Sequence, residues 1–357
     1  MNFYEILTTE YSDKWTEYLE RLPSDQQDIY FTPEYYRLYE ELGDGRAKCF
    51  VYVKEKDLAL YPFLLNNVND LGFQLDKEYS DIQGAYGYNG IITSNRHREF
   101  INGFYETFDH YCKENNIIAE FTRFHPLLKN EAFSKNHLAV TANRETVAAD
   151  LTKDYSLIWE SEYSSVNRNM IRKAGKMDYQ IRILENPTDE DLDSFIEVYH
   201  HTLKLINAPE YYFFNRQFLF NTFARLQGQA FLLHVTDGNN KILASSVFMH
   251  HGDYFHYHLS GRSDKADNSV NNFLLDQALR FAKGRGAKFF HLGGGRSQAL
   301  NDSLLKFKSN FSKLRLSFSI GKKIHNELIY NEVIRQWETK YPEKMGAYKK
   351  MLLRYRY

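Results

Sequence analysis

Lys306-Phe307-Lys308 sets two cations astride an aromatic ring, and lysines so placed can neutralise a carbonyl oxyanion or a phosphate during acyl transfer. On a strand or turn both lysines would face one way. Three further cations, Arg168, Arg172 and Lys176, recur every fourth residue in SSVNRNMIRKAGKM (164–177), with Lys173 beside them. A helix over that stretch puts them on one face, which suits several phosphates of a nucleotide or of tRNA; the plain alternative is a solvated face. The segment YFHYHLS (254–260) alternates, so that as a strand His256, His258 and Ser260 share one side and Phe255, Tyr257 and Leu259 the other. Histidines at i and i+2 could ligate a metal, but no carboxylate or cysteine stands at a matching spacing. A polar strand face bordering a cleft is the simpler reading, with a histidine general base as the alternative.

Arg262, Ser263 and Asp264 follow that strand and precede a helix start, where a cation and backbone donors would hold an anionic group. Gly293-Gly294-Gly295-Arg296 has neither the dinucleotide spacing nor the P-loop spacing. It reads as a close approach of backbone to a ligand or strand, or as an exit loop. In the first half, Tyr79-Ser80-Asp81 leads into GAYGYNG (84–90). Asp81 could accept a proton there, and Tyr86 and Tyr88 could stack on a sugar ring; glycine–tyrosine strands at a sheet edge are the bland competitor.

The elements that must position these residues occur twice. CFVYVK, the turn EKD and LALYPFLLNNV form a hairpin signal. A glycine-broken strand follows at 84–93, then a helix near 96–114 with Phe100, Phe104 and Phe108 along one face, then the strand IIAEFTRF. About 170 residues on, AFLLHV and ILASSVFMHH form a second hairpin. YFHYHLSG is its third strand, Val270, Leu274, Ala278 and Phe281 line a helix near 269–284, and AKFFHL closes the unit. Antiparallel strands followed by a helical crossover predict an α/β fold with a mixed sheet, present as two tandem copies.

The chain has 357 residues, 43% of them hydrophobic, which is enough for two cores. A net charge of -1 excludes wholesale nucleic-acid binding and leaves any polyanion contact to a local patch. The 27 Tyr and 27 Phe are ascribed mainly to core packing with wet edges. Two cysteines, Cys49 and Cys112, allow no disulfide framework and no cysteine-based metal site. The start MNFYEILTTEYSDKW carries no apolar targeting stretch, and no segment reads as a membrane span. A cytoplasmic protein is expected.

Taken in order, FTPEYYRLY (31–39), SSVNRNMIRKAGK (164–176), YHLSGRSD (257–264), NNFLLDQALRFAKGRGAKFFHLGGG (271–295) and LLKFKSNF (304–311) resemble the FemAB-like branch of the GNAT acyltransferase superfamily. That branch includes aminoacyl-tRNA-dependent peptidoglycan bridge-forming transferases. The resemblance implies two tandem GNAT-like domains, 1–148 and 149–325, with 326–357 a helical segment packing back on either. It implies a donor cleft on the second domain or between the two. The implied activity is N-acyl transfer without a metal, from acyl-CoA or aminoacyl-tRNA as a co-substrate not tightly bound. The acceptor would be an amine of a nucleotide- or lipid-linked cell-envelope precursor, a peptidoglycan peptide or an amino sugar. By the same resemblance Phe307 and Lys308 match the FK motif, with Lys308 near the acyl end of the donor. Arg168 and Arg172 lie in the basic helix, and Tyr257, Ser260 and Arg262 border the donor cleft; Asp81, Tyr86 and Tyr88 are the acceptor-side candidates. Two departures stand out. GRSDKADNSV lacks the Q/R-x-x-G-x-G/A run that wraps a coenzyme A pyrophosphate, and no coiled-coil hairpin is inserted. A non-catalytic module that grips the precursor or tRNA is the alternative reading.

Overall fold

The computed structural model describes residues 2–299 and 301–357. Packing divides the chain into two units, one of residues 1–143 with 318–357 and one of residues 144–317. The breaks expected at 148/149 and 325/326 compare with 143/144 and 317/318 here, because the chain changes unit within each of two long strands. In chain order the strands are β1 (Asn2–Leu7), β2 (Arg46–Lys54), β3 (Asp57–Asn67), β4 (Ser80–Gln83), β5 (Ile92–Thr93), β6 (Ile117–Arg123), β7 (Ala139–Asp150), β8 (Gln180–Leu184), β9 (Ala230–Thr236), β10 (Ile242–His251), β11 (Tyr254–Arg262), β12 (Phe289–Gly294) and β13 (Arg315–Ile324). The strands in which the chain changes unit are β7 and β13.

In the first unit β1, β2, β3 and β4 form an antiparallel meander. The helix Arg98–Glu114 then crosses over to β6, which lies parallel to β4, and the last residues of β13 add an antiparallel strand beyond it. Phe100, Phe104 and Phe108 stand on the buried face of that helix as their spacing predicts, packed on Phe50, Tyr52 and Tyr61. The glycine-rich stretch departs from expectation. The strand lies before it, at Ser80–Gln83, and after it only Ile92–Thr93 pairs with β3. Glycines at φ +106° (Gly87) and +104° (Gly90) turn the chain there, so the run cannot continue a ladder.

The second unit repeats the plan. Strands β8, β9, β10 and β11 form the meander, and the helix Val270–Gly284 crosses over to β12, parallel to β11, with β7 antiparallel beyond. Val270, Leu274 and Ala278 are buried against Phe248, Phe255 and Phe290 in the core of this unit. Each unit thus has one more meander strand than the sequence pattern shows, β1 and β8, both short edge strands with a weak apolar signal.

The C-terminal stretch packs back on the first unit. Its helix, Glu327–Lys340, buries Tyr330, Val333 and Trp337 against Val68, Tyr79 and Ile118. No helix among the described residues is long and apolar enough to cross a membrane.

Candidate active site

Within the second unit, β11 and β12 pair only over Tyr254–His256 and Phe289–His291. Beyond that, β11 stays on β10 as far as Arg262, while β12 stays on β7 as far as Gly294. The two parallel strands therefore part, and backbone groups on both inner edges lose their ladder partners. A bulge sits on each side of the opening. Opposite Val247 and Phe248, β11 inserts His258; opposite Ala148 and Val147, β12 inserts Leu292. Extra residues of this kind bend and twist a strand, here one on each side of the gap. A gap at the carboxyl ends of parallel strands, beside a helix N-terminus, is where α/β folds take ligands.

The bulge also corrects the expected facing of the strand. Strict alternation would put Ser260 with His256 and His258. With His258 extruded, Ser260 pairs with Ser246 and Tyr257 with Phe248, so Tyr257, Ser260 and Ser246 share the helix-covered face. Ser246 Oγ donates to Ser260 Oγ at 2.8 Å. Burial pushes the Tyr257 phenol above its ordinary pKa, and contacts with the Ser260 and Ser246 hydroxyls pull the other way. Three hydroxyls thus line one wall of the gap.

Lys308 closes its floor. The segment 303–308 is not a strand but a short helix, Ser303–Lys308, capped by Asp302. Lys306 and Lys308 consequently diverge: Lys306 is exposed, while Lys308 is only 7% exposed. The Lys308 ammonium donates to the Gly294 carbonyl at 2.8 Å, one of the groups left free where the strands part, and lies 5.5 Å from the centre of the Tyr257 ring. Burial pushes its pKa down to about 7, partly offset by the nearby Asp302 carboxylate. Gly293, at φ +78°, has Lys308 Nζ only 3.2 Å from where a Cβ would stand, so a side chain there would be strained and would press on the amine. Phe307 turns the other way, packing on the core and edge-on to Phe311 at 5.6 Å.

The other sequence candidates meet different fates. The basic helix is Ser165–Ala174, so Lys176 lies past its end and the three cations do not form one helical face. Arg168 Nη1 donates to the carbonyls of Trp159, Glu160 and Tyr163, where it closes the preceding turn. Arg172 is exposed, lies over the Trp159 ring at 5.5 Å and remains able to meet a phosphate. Arg262 is half-buried, with Nη1 donating to Asn268. Next to it, at the start of the helix Val270–Gly284, the Asp267 carboxylate accepts from the Ser269 N–H and hydroxyl and pairs with Lys173 at 2.6 Å. The Lys173 and Ser269 hydrogen bonds hold that carboxyl well below the usual range.

On the first unit, Asp81 is corrected from acceptor contact to buried anchor. It is fully buried, and Arg356 Nε donates to both its oxygens at 2.9 and 2.8 Å. Tyr86 and Tyr88 are half-buried. Tyr88 meets Tyr30, His125 and Phe318 edge-on, and the Tyr86 carbonyl accepts from the Tyr35 hydroxyl.

Ser246 and Asp302 were not legible as site residues, whereas Gly293 and Gly294 lie in the glycine run that already suggested a close backbone approach. Asp302 ahead of Ser-Leu-Leu-Lys-Phe-Lys is a helix-cap signal that would have placed Lys308 on a helix rather than a strand. Ser246 carries no signal of its own, because its place depends on the β10–β11 register.

Residues 162–306 match the family described as acetyltransferase (GNAT) domain. The fold resembles that of FemX, with a TM-score of 0.70 at 13% identity over 92% of this chain and 99% of that one. It also resembles L-PGS from Bacillus licheniformis, with a TM-score of 0.59 at 14% identity over 90% and 95%. A tandem GNAT protein from the clavulanic acid biosynthesis pathway matches with a TM-score of 0.52 at 7% identity over 91% and 99%. Comparison with curated protein sequences returns no match. The mixed α/β fold in two GNAT-like units and the resemblance to the FemAB-like branch both stand.

Proposed function

We propose that this chain, whose second unit carries a GNAT-type acyltransferase domain in a FemX-like fold, transfers an acyl or aminoacyl group to an amine of a cell-envelope precursor. The observation that carries this reading is a buried lysine amine at the opening between two parted parallel strands, facing a wall of three hydroxyls. A neutral acceptor amine attacks the carbonyl of the bound ester or thioester directly, and the carbonyl oxygen takes up negative charge. The Lys308 ammonium stabilises that charge, and the gap holds the reactants together. The leaving oxygen or sulfur departs with the electron pair of the broken bond, and the proton shed by the amine passes to water or to a modest base.

For the donor, aminoacyl-tRNA is favoured over acyl-CoA. A coenzyme A pyrophosphate would seat at the N-terminus of the helix Val270–Gly284, and Asp267 already places a carboxylate there. The acceptor class, a nucleotide- or lipid-linked peptidoglycan peptide or amino sugar, rests on the sequence resemblance; a cytoplasmic location rests on the sequence reading of the N-terminal stretch and of the apolar segments.

Calorimetric titration with acetyl-CoA, set against free coenzyme A and against aminoacyl-tRNA, tests the donor. Flat heats with acetyl-CoA and saturable, salt-sensitive binding of aminoacyl-tRNA are expected. Micromolar, saturable acetyl-CoA binding would replace tRNA with coenzyme A as the donor. Unchanged turnover in Lys308→Ala would remove the lysine from the chemistry. Absence of turnover with any donor that binds would favour a gripping module over an enzyme.

A further inference from the structure

The two oxygens of one carboxylate hold the two segments that meet in this gap. Asp302 Oδ1 accepts from the backbone N–H groups of Leu304 and Leu305, at 3.0 and 2.9 Å, and so starts the helix that ends in Lys308. Asp302 Oδ2 accepts from Arg296 N–H at 3.0 Å, Ser297 N–H at 2.9 Å and the Ser297 hydroxyl at 3.0 Å, and so folds the chain leaving β12 just past Gly294. Five donors on two oxygens leave the group little freedom, and they hold its pKa at about 2 against the upward push of partial burial. Gly295 is shaped to this clasp, since a Cβ there would stand 2.4 Å from Asp302 Oδ1. Arg144 steadies the same loop by donating to the Gly295 and Arg296 carbonyls at 3.1 and 3.3 Å.

We infer that Asp302 is a positioning residue for acyl transfer: its carboxylate ties the helix that carries the Lys308 amine to the loop just past the Gly294 carbonyl, and its negative charge acts on that amine. This rests on the proposed role of Lys308. A helix cap needs one acceptor oxygen, and serine or asparagine serves as well as aspartate. The second oxygen and the negative charge are therefore surplus to capping, and they are what the loop and the lysine use. The groups that act on Lys308 are the Asp302 carboxylate and the Tyr257 ring on β11, 5.5 Å from the amine. Arg144 on β7 meets the neighbouring loop instead, at the Gly295 and Arg296 carbonyls.

Asp302→Asn and Asp302→Ser test the inference, because both keep a cap for Leu304 and Leu305 while losing the charge and the hold on Arg296 and Ser297. Both variants are expected to fold with a wild-type circular dichroism spectrum. Turnover should fall on the order of tenfold to a hundredfold, mainly in kcat. In protein carrying isotope-labelled lysine, the Lys308 side-chain resonance should titrate at lower pH than in wild type, since the supporting charge is gone. That second readout needs no substrate, so it stands even if the acyl-transfer reading fails. Wild-type kcat together with an unmoved Lys308 titration would overturn the inference. A moved titration in a wild type that proves inert towards every donor would instead sink the proposed function and leave the clasp in place. Were both variants to unfold, Ser297→Ala provides the milder probe: it removes one of the five donors and should slow turnover without disturbing the cap. Unchanged turnover in Ser297→Ala would then count against the inference.

Discussion

At the scale of single residues, burial turns an ordinary lysine into a titrating group. An ammonium in water keeps its proton to about pH 10, but the Lys308 ammonium gives up solvation and recovers only one carbonyl contact and the attraction of the Asp302 carboxylate. Its pKa of about 7 leaves it charged below neutrality and discharged above. If the charged form stabilises the oxyanion, turnover must fall as pH rises through about 7 on account of Lys308, while deprotonation of the acceptor amine pushes the other way. The expected result is a bell whose alkaline limb vanishes in Lys308→Met, with kcat lowered by about two to three orders of magnitude. Steady-state rates across pH 5–10 check this. A Lys308-dependent limb that rises through neutrality would make the lysine a base instead.

At the scale of elements, the clearest lesson lies in the C-terminal stretch, where one ion pair ties a chain end to a strand. Asp81 on β4 is fully buried and Arg356 nearly so, with side-chain exposures of 0% and 17%. Arg356→Met leaves a carboxylate in the core with no cation, a loss of about 3 kcal/mol at pH 7. The sign of its pH dependence follows from burial, which raises the Asp81 pKa against the pull of Arg356. Without the guanidinium the pKa rises further, the carboxyl takes a proton as pH falls, and the deficit relative to wild type shrinks. Urea unfolding at pH 7 and at pH 5 should therefore show a smaller difference between the two proteins at the lower pH. Equal deficits at both would mean that Arg356 acts through packing alone.

At the scale of the whole molecule, two units share one strand plan but treat the parting of their parallel strands differently. In the second unit the gap stays open onto Lys308 and the hydroxyl wall. In the first, the chain fills its own gap. Asn89 donates its N–H to the Arg123 carbonyl at 2.7 Å and accepts the Arg123 N–H on Oδ1 at 2.8 Å, and its carbonyl takes Asn130 Nδ2 at 2.9 Å. Tyr88, Tyr30 and His125 pack beside it. A site needs unfilled backbone positions, so the first unit has exchanged that opening for stability. Asn89→Ala is expected to cost about 1–3 kcal/mol in denaturant while leaving kcat unchanged, because the proposed site lies in the other unit. A fall in kcat with no loss of stability would assign the first unit a part in turnover.

What the sequence determined on its own was periodicity and order. Phenylalanines every fourth residue made the helix Arg98–Glu114, alternating apolar runs made the hairpins, and the repeat of that order, with its resemblance to known transferases, announced two like units. Those signals are local, and local propensity and burial suffice to write them. Tertiary structure alone decided which groups face one another. A single inserted residue, His258, moved Ser260 to the side of Tyr257, and no alternation count can see an insertion that exists only relative to β10. Arg168 spent its guanidinium on nearby carbonyls and Asp81 met Arg356 from the far end of the chain. Lys308 was a candidate from its motif, but its burial comes from a short helix that ends where two strands part. Burial and charge pairing across distant segments set pKa and reach, and those are properties of the packed chain rather than of its letters.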